Sequence, residues 1–250
     1  MIRILAIGNS FSQDATHYLQ QIAEADGIDM KVVNLYIGGC SLQRHLEGIQ
    51  NNLKEYLLEI NGKSTDELVT IKEALDMENW DYIVTQQASH DSGIISTYEP
   101  YLSEIVAYLK KEKPEAKLLL QETWAYESDS MHGGFLNYHQ SQDEMYECLK
   151  NAYETEAQKY GLTLIPCGDV IQALRKVNPF LYGHGGMSIC RDGFHMNVIY
   201  GRYLLAAVWY QTITGNRIKN NTYIPKTELA PNAICDLEVL EVVKRIVDEF

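Results

Sequence analysis

The first ten residues constrain the fold of this chain most, because a short apolar run ends there in an abrupt polar turn. They read MIRILAIGNS, and the run that ends at Ile7 is typical of a strand buried on both faces of a parallel sheet. Gly8 permits a sharp turn, and Ser10 follows near the start of an amphipathic segment. Open α/β sheets place their active sites at the carboxyl ends of their strands, where Ser10 is expected to lie. Ser10 is therefore either a helix cap or a nucleophile whose oxyanion would meet backbone N–H groups.

The rest of the chain alternates apolar strand candidates with amphipathic helix candidates. This alternation predicts an α/β fold of three layers, doubly wound and flavodoxin-like, with a five-stranded parallel sheet, helices on both faces and one domain over residues 1–250. The predicted strands are 2–7, 30–36, 80–86, 116–121 and 162–166. The predicted helices are 13–25, 41–51, 69–77, 97–112, 138–160, 168–177, 197–214 and 235–249. Residues 52–66 leave two alternatives, a further strand with a tight turn or a helix that ends at a glycine.

A second motif lies near the other end of the chain, at Asp192-Gly193-Phe194-His195. An acid three residues before a histidine can orient the imidazole, whose other nitrogen then accepts a proton. Alone, such a pair is more often a loop hydrogen bond. Combined with a serine at a strand end, it predicts a catalytic set of Ser10, Asp192 and His195.

Four short blocks in a fixed order carry a resemblance to a known superfamily. The blocks are GNSFS, IGGCSL, QQAS and DGFH, and the chain resembles the SGNH (GDSL-type) hydrolases, in particular a bacterial branch with GNSFS and DGFH motifs. The resemblance implies that Ser10 is the nucleophile and that Asp192 and His195 complete the triad. It also implies that the backbone N–H groups of Ser10 and Gly39 contribute to an oxyanion hole.

The third block departs from the superfamily pattern, which supplies an Asn side chain to the oxyanion hole. Here the segment after the strand contains Gln86-Gln87-Ala88-Ser89-His90 and no Asn. Gln87 is predicted to donate through its amide, as a Gln does in related carbohydrate esterases. His90, which a gapless alignment places at the Asn position, is the alternative donor.

Composition limits the partners and the cofactors. A net charge of −13 argues against nucleic acid and anionic membranes as partners, because both would repel the chain. The five cysteines show no metal-binding spacing, so a structural metal site is not expected. A serine hydrolase of the kind that the resemblance implies requires neither a metal nor an organic cofactor. Unpaired cysteines and the absence of a visible export signal favour the cytoplasm. A trimmed signal would instead mean a periplasmic or secreted protein.

Two irregular stretches, 122–137 and 178–191, are candidate walls of a substrate pocket. Trp124, Tyr126 and His184 are the predicted pocket residues, and His132 is a further candidate. The sequence thus predicts a serine esterase. The resemblance implies that its substrates are small acyl esters, with O-acetyl groups on carbohydrates as one candidate. The alternatives are a flavodoxin-like module, whose hydroxyl-rich loop after the first strand would hold a flavin phosphate, and a sugar-binding module without catalysis.

Overall fold

The computed structural model describes residues 1–226 and 230–250, and these form an α/β fold around a mostly parallel sheet. The strands in these ranges are β1 (Ile2–Gly8), β2 (Met30–Tyr36), β3 (Tyr56–Ile60), β4 (Lys63–Val69), β5 (Tyr82–Thr85), β6 (Lys117–Gln121) and β7 (Thr163–Ile165). Their order across the sheet is β4-β3-β2-β1-β5-β6-β7, and all except β3 and β4 are parallel. The predicted α/β fold with a mostly parallel sheet is confirmed, and each of the five predicted strands corresponds to one parallel strand.

The count of five strands is wrong, because a hairpin extends one edge of the sheet. Strands β3 and β4 pair antiparallel to each other, and β3 pairs antiparallel to β2. The turn between them is Asn61-Gly62, with φ of 51° and 77°, as a tight two-residue hairpin requires. Of the two alternatives for residues 52–66, the strand and tight turn is therefore the observed one. Strand β4 is mostly exposed and polar, so it lacks the apolar run that identified the other strands.

The helices cover both faces of the sheet. Over residues 1–226 and 230–250 they are α1 (Ser10–Thr16), α2 (Leu19–Ala25), α3 (Leu42–Gln50), α4 (Ile71–Asp76), α5 (Tyr101–Glu112), α6 (Gln142–Tyr160), α7 (Cys167–Leu174), α8 (Tyr200–Thr214) and α9 (Leu237–Val247). The predicted helix over 13–25 is two helices, because the backbone of Tyr18 leaves the helical region at φ −110°, ψ 3°. None of the described helices is long and apolar enough to cross a membrane.

Strand β1 is central in the sheet and is buried on both faces, so its end is the part that is free to form a site. Ile4, Leu5, Ala6 and Ile7 in β1 are all at most 1% exposed, and successive strand residues point to opposite faces, so both faces are covered. Helices α1, α2, α8 and α9 pack against one another, whereas α3 packs against α4 and α5. The carboxyl ends of β1, β2 and β5 meet at one edge, with β1 between the other two.

Candidate active site

The turn that carries Ser10 is tightly built at the end of β1. A Cβ added to Gly8 would lie 2.4 Å from the Ser12 hydroxyl oxygen, so the position has no room for a side chain. Asn9 is the N-cap of α1, and its Oδ1 accepts a hydrogen bond of 2.9 Å from the N–H of Phe11. The cap interpretation thus applies to Asn9 and leaves the hydroxyl of Ser10 free for another role.

Asn9 also joins the ends of the two strands that flank β1. Its Nδ2 donates to the carbonyl of Cys40 at 3.0 Å, which holds the loop after β2 close to Ser10. The amide of Gln86, directly after β5, donates to Asn9 Oδ1 at 2.6 Å. Sequence reasoning assigned Asn9 no role in joining these strand ends.

The structure brings Ser10, His195 and Asp192 into one continuous chain of contacts. Ser10 Oγ lies 2.9 Å from His195 Nε2, and His195 Nδ1 lies 2.7 Å from Asp192 Oδ2. In the tautomer protonated at Nδ1, the imidazole donates to Asp192 and accepts from Ser10. The other carboxylate oxygen of Asp192 accepts from the backbone N–H groups of His195 at 2.7 Å and Phe194 at 3.2 Å.

The carboxyl group of Asp192 is held in its ionised form. Partial burial raises its pKa, but the hydrogen bonds from the side chain and backbone of His195 and from the backbone of Phe194 outweigh this, so the pKa lies below its usual value. The turn itself depends on Gly193, whose φ of 88° favours glycine. An ionised Asp192 can stabilise an imidazolium at His195.

A cavity of about 330 Å³ opens onto Ser10 and His195. Its lining residues come from the ends of β1, β2 and β5, from the 132–134 turn and from the 194–195 segment. They are Ser10, Phe11, Tyr36, Gly38, Gly39, Ser89, His90, His132, Gly134, Phe194 and His195. The predicted residues Gly39 and His90 thus lie on the cavity wall with Ser10. The N–H of Gly39 has no hydrogen-bond acceptor among the described residues.

The predicted oxyanion donor Gln87 does not line this cavity, which corrects the sequence interpretation. Gln87 is 1% exposed, and its Nε2 donates to the carbonyl and the hydroxyl of Thr97 at 3.0 and 3.1 Å. Its Oε1 accepts from the N–H groups of Leu42 and Ala88, both at 2.9 Å. Every polar atom of the amide is engaged in joining the start of α3 to the segments after β5. Gln87 therefore supports the loop that carries Gly39.

Trp124 and Tyr126 lie behind the cavity wall and do not face the cavity. Trp124 is fully buried, stacks on Phe11 with ring centroids 3.9 Å apart, and donates from Nε1 to the carbonyl of Phe194 at 2.7 Å. Tyr126 is also fully buried, and its ring packs against His132 and Phe194. Both aromatic residues fix the orientation of groups that do line the cavity. A sugar-stacking role for them is excluded by their burial.

His184 is separate from the candidate active site. It is exposed and borders another cavity of about 380 Å³, formed by parts of the 127–142 and 175–184 segments. The prediction that it lines the substrate pocket is wrong for the cavity at Ser10. A long surface loop before the Asp192 motif could not be assigned to one cavity from sequence.

Two further histidines form part of the wall beside His195. The rings of His90 and His132 stack with centroids 6.0 Å apart, and His90 Nε2 lies 3.5 Å from Asp91 Oδ2. Burial lowers the pKa of His132, and nearby His90 and His195 lower it further. These effects favour the neutral form of His132.

Tyr36 and Phe194 are wall residues that sequence reasoning missed. Tyr36 is the last residue of β2, and Phe194 lies inside the Asp192–His195 motif. Phe194 packs on the ring of His195 with centroids 4.1 Å apart and on His132 at 4.7 Å. Their positions directly beside the identified motifs were the signal available in the sequence.

Neither a metal site nor a phosphate cradle emerges from the described residues. In residues 1–226 and 230–250, no three His, Cys, Asp or Glu side chains group as a metal ion would need. The loop after β1 was the predicted flavin phosphate site. The hydroxyl of Ser12 donates to Asn34 Oδ1 at 2.7 Å and that of Ser10 contacts His195, so neither hydroxyl favours a flavodoxin-like role.

Comparison with known proteins identifies one family. Residues 3–234 match the model of the family DUF4886, described as a domain of unknown function. A crystal structure of a DUF4886 family protein from Bacteroides uniformis is 37% identical in sequence, with a TM-score of 0.89. That alignment covers 99% of this chain and 93% of the other. No curated protein gives a significant match.

More distant structures share the fold. A proposed SGNH hydrolase from Slackia heliotrinireducens is 23% identical with a TM-score of 0.56, over 85% of this chain and 98% of the other. An acetyl xylan esterase is 16% identical with a TM-score of 0.56, over 83% of this chain and 98% of the other. At these identities the likeness concerns the fold alone.

Proposed function

The chain belongs to the DUF4886 family, whose function is undefined, and we propose that it is a serine hydrolase that cleaves small acyl esters. The observation that carries this proposal is the chain of contacts from Ser10 Oγ to His195 and on to Asp192, at 2.9 and 2.7 Å. These distances are within the hydrogen-bond reach that a nucleophile and its general base need. The fold shared with SGNH hydrolases supports the same assignment.

In the proposed reaction, Ser10 Oγ attacks the carbonyl carbon of the ester while its proton moves to His195 Nε2. The imidazolium is stabilised by the ionised carboxylate of Asp192. The tetrahedral intermediate then expels the alcohol, which takes the proton from Nε2. Water, activated by the same nitrogen, releases the acid and restores Ser10.

The oxyanion would be held by the backbone N–H groups of Ser10 and Gly39. The N–H of Ser10 belongs to the first residue of α1 and has no acceptor within the helix. His90 is the proposed third donor, because it shares the cavity wall with Ser10 and Gly39 whereas the amide of Gln87 is fully engaged elsewhere. An imidazole can donate a hydrogen bond through a ring N–H.

The cavity favours a small, uncharged acyl ester. Its volume of about 330 Å³ is at the small end of the range for ligand sites. Among the described lining residues there is no Lys, Arg, Asp or Glu to pair with a charged acyl group. Phe194 and Tyr36 offer aromatic surface for the alcohol part. An O-acetylated carbohydrate meets these requirements, and an acetyl xylan esterase is among the proteins with this fold.

A panel of esters tests the proposal. Acetyl, butyryl and octanoyl esters of one chromogenic alcohol are compared, together with acetylated xylo-oligosaccharides, for the wild type and Ser10→Ala. The wild type should release the acetyl group fastest, because the cavity is small, and Ser10→Ala should retain less than about 1% of the rate. Hydrolysis that persists in Ser10→Ala would reject Ser10 as the nucleophile. A preference for the octanoyl ester would reject the small acyl group.

A further inference from the structure

A buried carboxylate joins the helix of Ser10 to the turn of His195. Asp14 lies one helical turn after Ser10 on α1 and is fully buried. Its Oδ2 accepts from the backbone N–H of Met196 at 3.0 Å, and both its oxygens lie 3.0 Å from Arg191 Nη1. Its Oδ1 also accepts from Arg202 Nε, in α8, at 2.8 Å.

Asp14 binds both sides of the neck of the Asp192–His195 turn, which we define as Cys190 and Arg191 before the turn and Met196 after it. The N–H of Arg191 donates to the carbonyl of His195 at 2.9 Å, and an isolated antiparallel bridge pairs Cys190 with Met196. The Arg191 side chain additionally donates to the carbonyl of Met196. The residues just before and just after the catalytic pair are therefore both attached to the same carboxylate.

The geometry gives α1 two attachments to this turn. Residues four apart lie on the same face of a helix, about 6 Å apart along its axis, so Ser10 and Asp14 face the turn together. Ser10 contacts the imidazole of His195, and Asp14 contacts the neck beneath it. Two contacts separated along the helix fix the orientation of the turn as well as its distance.

Burial of Asp14 alone does not explain Arg191. Arg202 has a side chain only 6% exposed and already supplies a positive charge to the carboxylate. Arg191 is a second cation, from the position directly before Asp192, and it also binds the neck carbonyl. Its interactions are those expected of a group that holds the turn.

We propose that Asp14 and Arg191 form a clamp that positions His195 against Ser10, a role that rests on the proposed serine hydrolase function. Neither residue touches the reacting atoms, so both are positioning residues. The clamp should act on the chemical step, because displacement of a catalytic group by about 1 Å can cost on the order of 100-fold in rate. Substrate binding in the cavity should change little.

Arg191→Gln tests the clamp, since Gln is uncharged and too short to bridge Asp14 and the neck. The matched control is Arg3→Gln, because Arg3 has the same side-chain exposure of 31%, pairs with Glu78, and lies at the opposite end of β1. We expect kcat for acetyl ester hydrolysis to fall about 10- to 100-fold in Arg191→Gln, with KM changed less than about threefold. Arg3→Gln should keep the wild-type kcat. Arg191→Lys, which restores a charge for Asp14, should recover most of the loss.

A spectroscopic measurement tests the clamp without relying on activity. The proton between His195 Nδ1 and Asp192 Oδ2, which lie 2.7 Å apart, should give a far-downfield proton NMR resonance, to be assigned by its loss in His195→Ala. This resonance should be sharp in the wild type and in Arg3→Gln and broadened or lost in Arg191→Gln. Equal kcat and equal resonances in the two Gln variants would overturn the clamp. If the wild type hydrolyses no ester, the proposed function fails, and the resonance still decides whether the clamp holds the turn.

Discussion

The two turns that meet at the candidate active site are built differently. The Ser10 turn is closed by residues that are almost fully buried, with Asn9 and Phe11 each 2% exposed, and by hydrogen bonds to the ends of β2 and β5. The Asp192–His195 turn lies at the surface, where the side chain of Asp192 is 42% exposed.

Long-range contacts hold this second turn. Trp124 Nε1 donates to the carbonyl of Phe194, and the N–H of Glu127 donates to that of Gly193 at 2.8 Å. The first turn is thus part of the core, whereas the second is placed by a few bonds from elsewhere. Apart from changes at Ser10 itself, changes in the Ser10 turn should therefore mainly reduce stability, and changes in the Asp192–His195 turn should reduce activity while the fold persists.

The largest effect is expected for His195→Ala, which removes the proposed general base. We expect kcat to fall about 1000-fold or more. The melting temperature should stay close to that of the wild type, because the imidazole is partly exposed and its hydrogen bonds are to Ser10 and Asp192. The matched control is His184→Ala, since His184 is exposed and borders the other cavity. Steady-state kinetics that show a similar loss in both variants would contradict the assignment.

Asp192→Asn should lower kcat by about 100-fold or more, because the amide no longer stabilises the imidazolium and general acid–base catalysis contributes on the order of 100- to 10,000-fold. A pH series adds a test of stability. Since the pKa of Asp192 is lowered in the folded chain, its ionised form stabilises the fold above the ordinary pKa, and this contribution is lost as pH falls through the lowered pKa. The melting temperatures of wild type and Asp192→Asn should therefore converge in acid. A difference that grows toward low pH would contradict the direction of the shift.

His90→Ala and Gln87→Ala should distinguish a catalytic role from a structural role in the segment after β5. His90→Ala should lower kcat about 10- to 100-fold with little change in KM, as expected for an oxyanion donor. Gln87→Ala leaves the buried N–H groups of Leu42 and Ala88 without an acceptor, at a cost of about 1–3 kcal/mol each. Gln87→Ala should thus lower the melting temperature more than His90→Ala does, and lower kcat less. The reverse result would return the donor role to Gln87.

The smallest effect on activity is expected for Asn9→Ala, within the buried turn. Loss of the helix cap costs about 1 kcal/mol, and the link to Cys40 is lost with it. A change of 1 kcal/mol corresponds to about 2–4 °C in melting temperature for a chain of this size. We expect a measurable fall in melting temperature and a loss of kcat of about tenfold or less. An unchanged melting temperature with a large loss of kcat would remove the contrast between the two turns.

The parts of the fold that were predictable are those with local signals. The five parallel strands are apolar runs such as the one ending at Ile7, and burial on both faces requires such runs. The sequence did not decide between a hairpin and a helix end for residues 52–66. The reason is that β4 is polar and exposed and is held by pairing with β3. The break between α1 and α2 was missed because the apolar periodicity continues across it.

For the site, the sequence indicated which residues lie near the strand ends but not their directions. Gln86 and Gln87 are adjacent, yet the first reaches Asn9 and the second reaches Thr97 and Leu42. In an extended chain, adjacent side chains point to opposite sides, and a short motif does not show which side faces the cavity. Trp124 was wrongly predicted to line the pocket, because the sequence does not show whether an aromatic residue faces a cavity or packs behind its wall.

The central claim is that Ser10 is a nucleophile activated by His195, and covalent labelling tests it most directly. The wild type is treated with a serine-directed fluorophosphonate, digested and mapped by mass spectrometry, with Ser10→Ala and His195→Ala as comparisons. The account predicts one phosphonyl group per chain, on the peptide that contains Ser10, with no label in Ser10→Ala and much slower labelling in His195→Ala. Labelling at a cysteine or another serine, or equal labelling rates with and without His195, would contradict it.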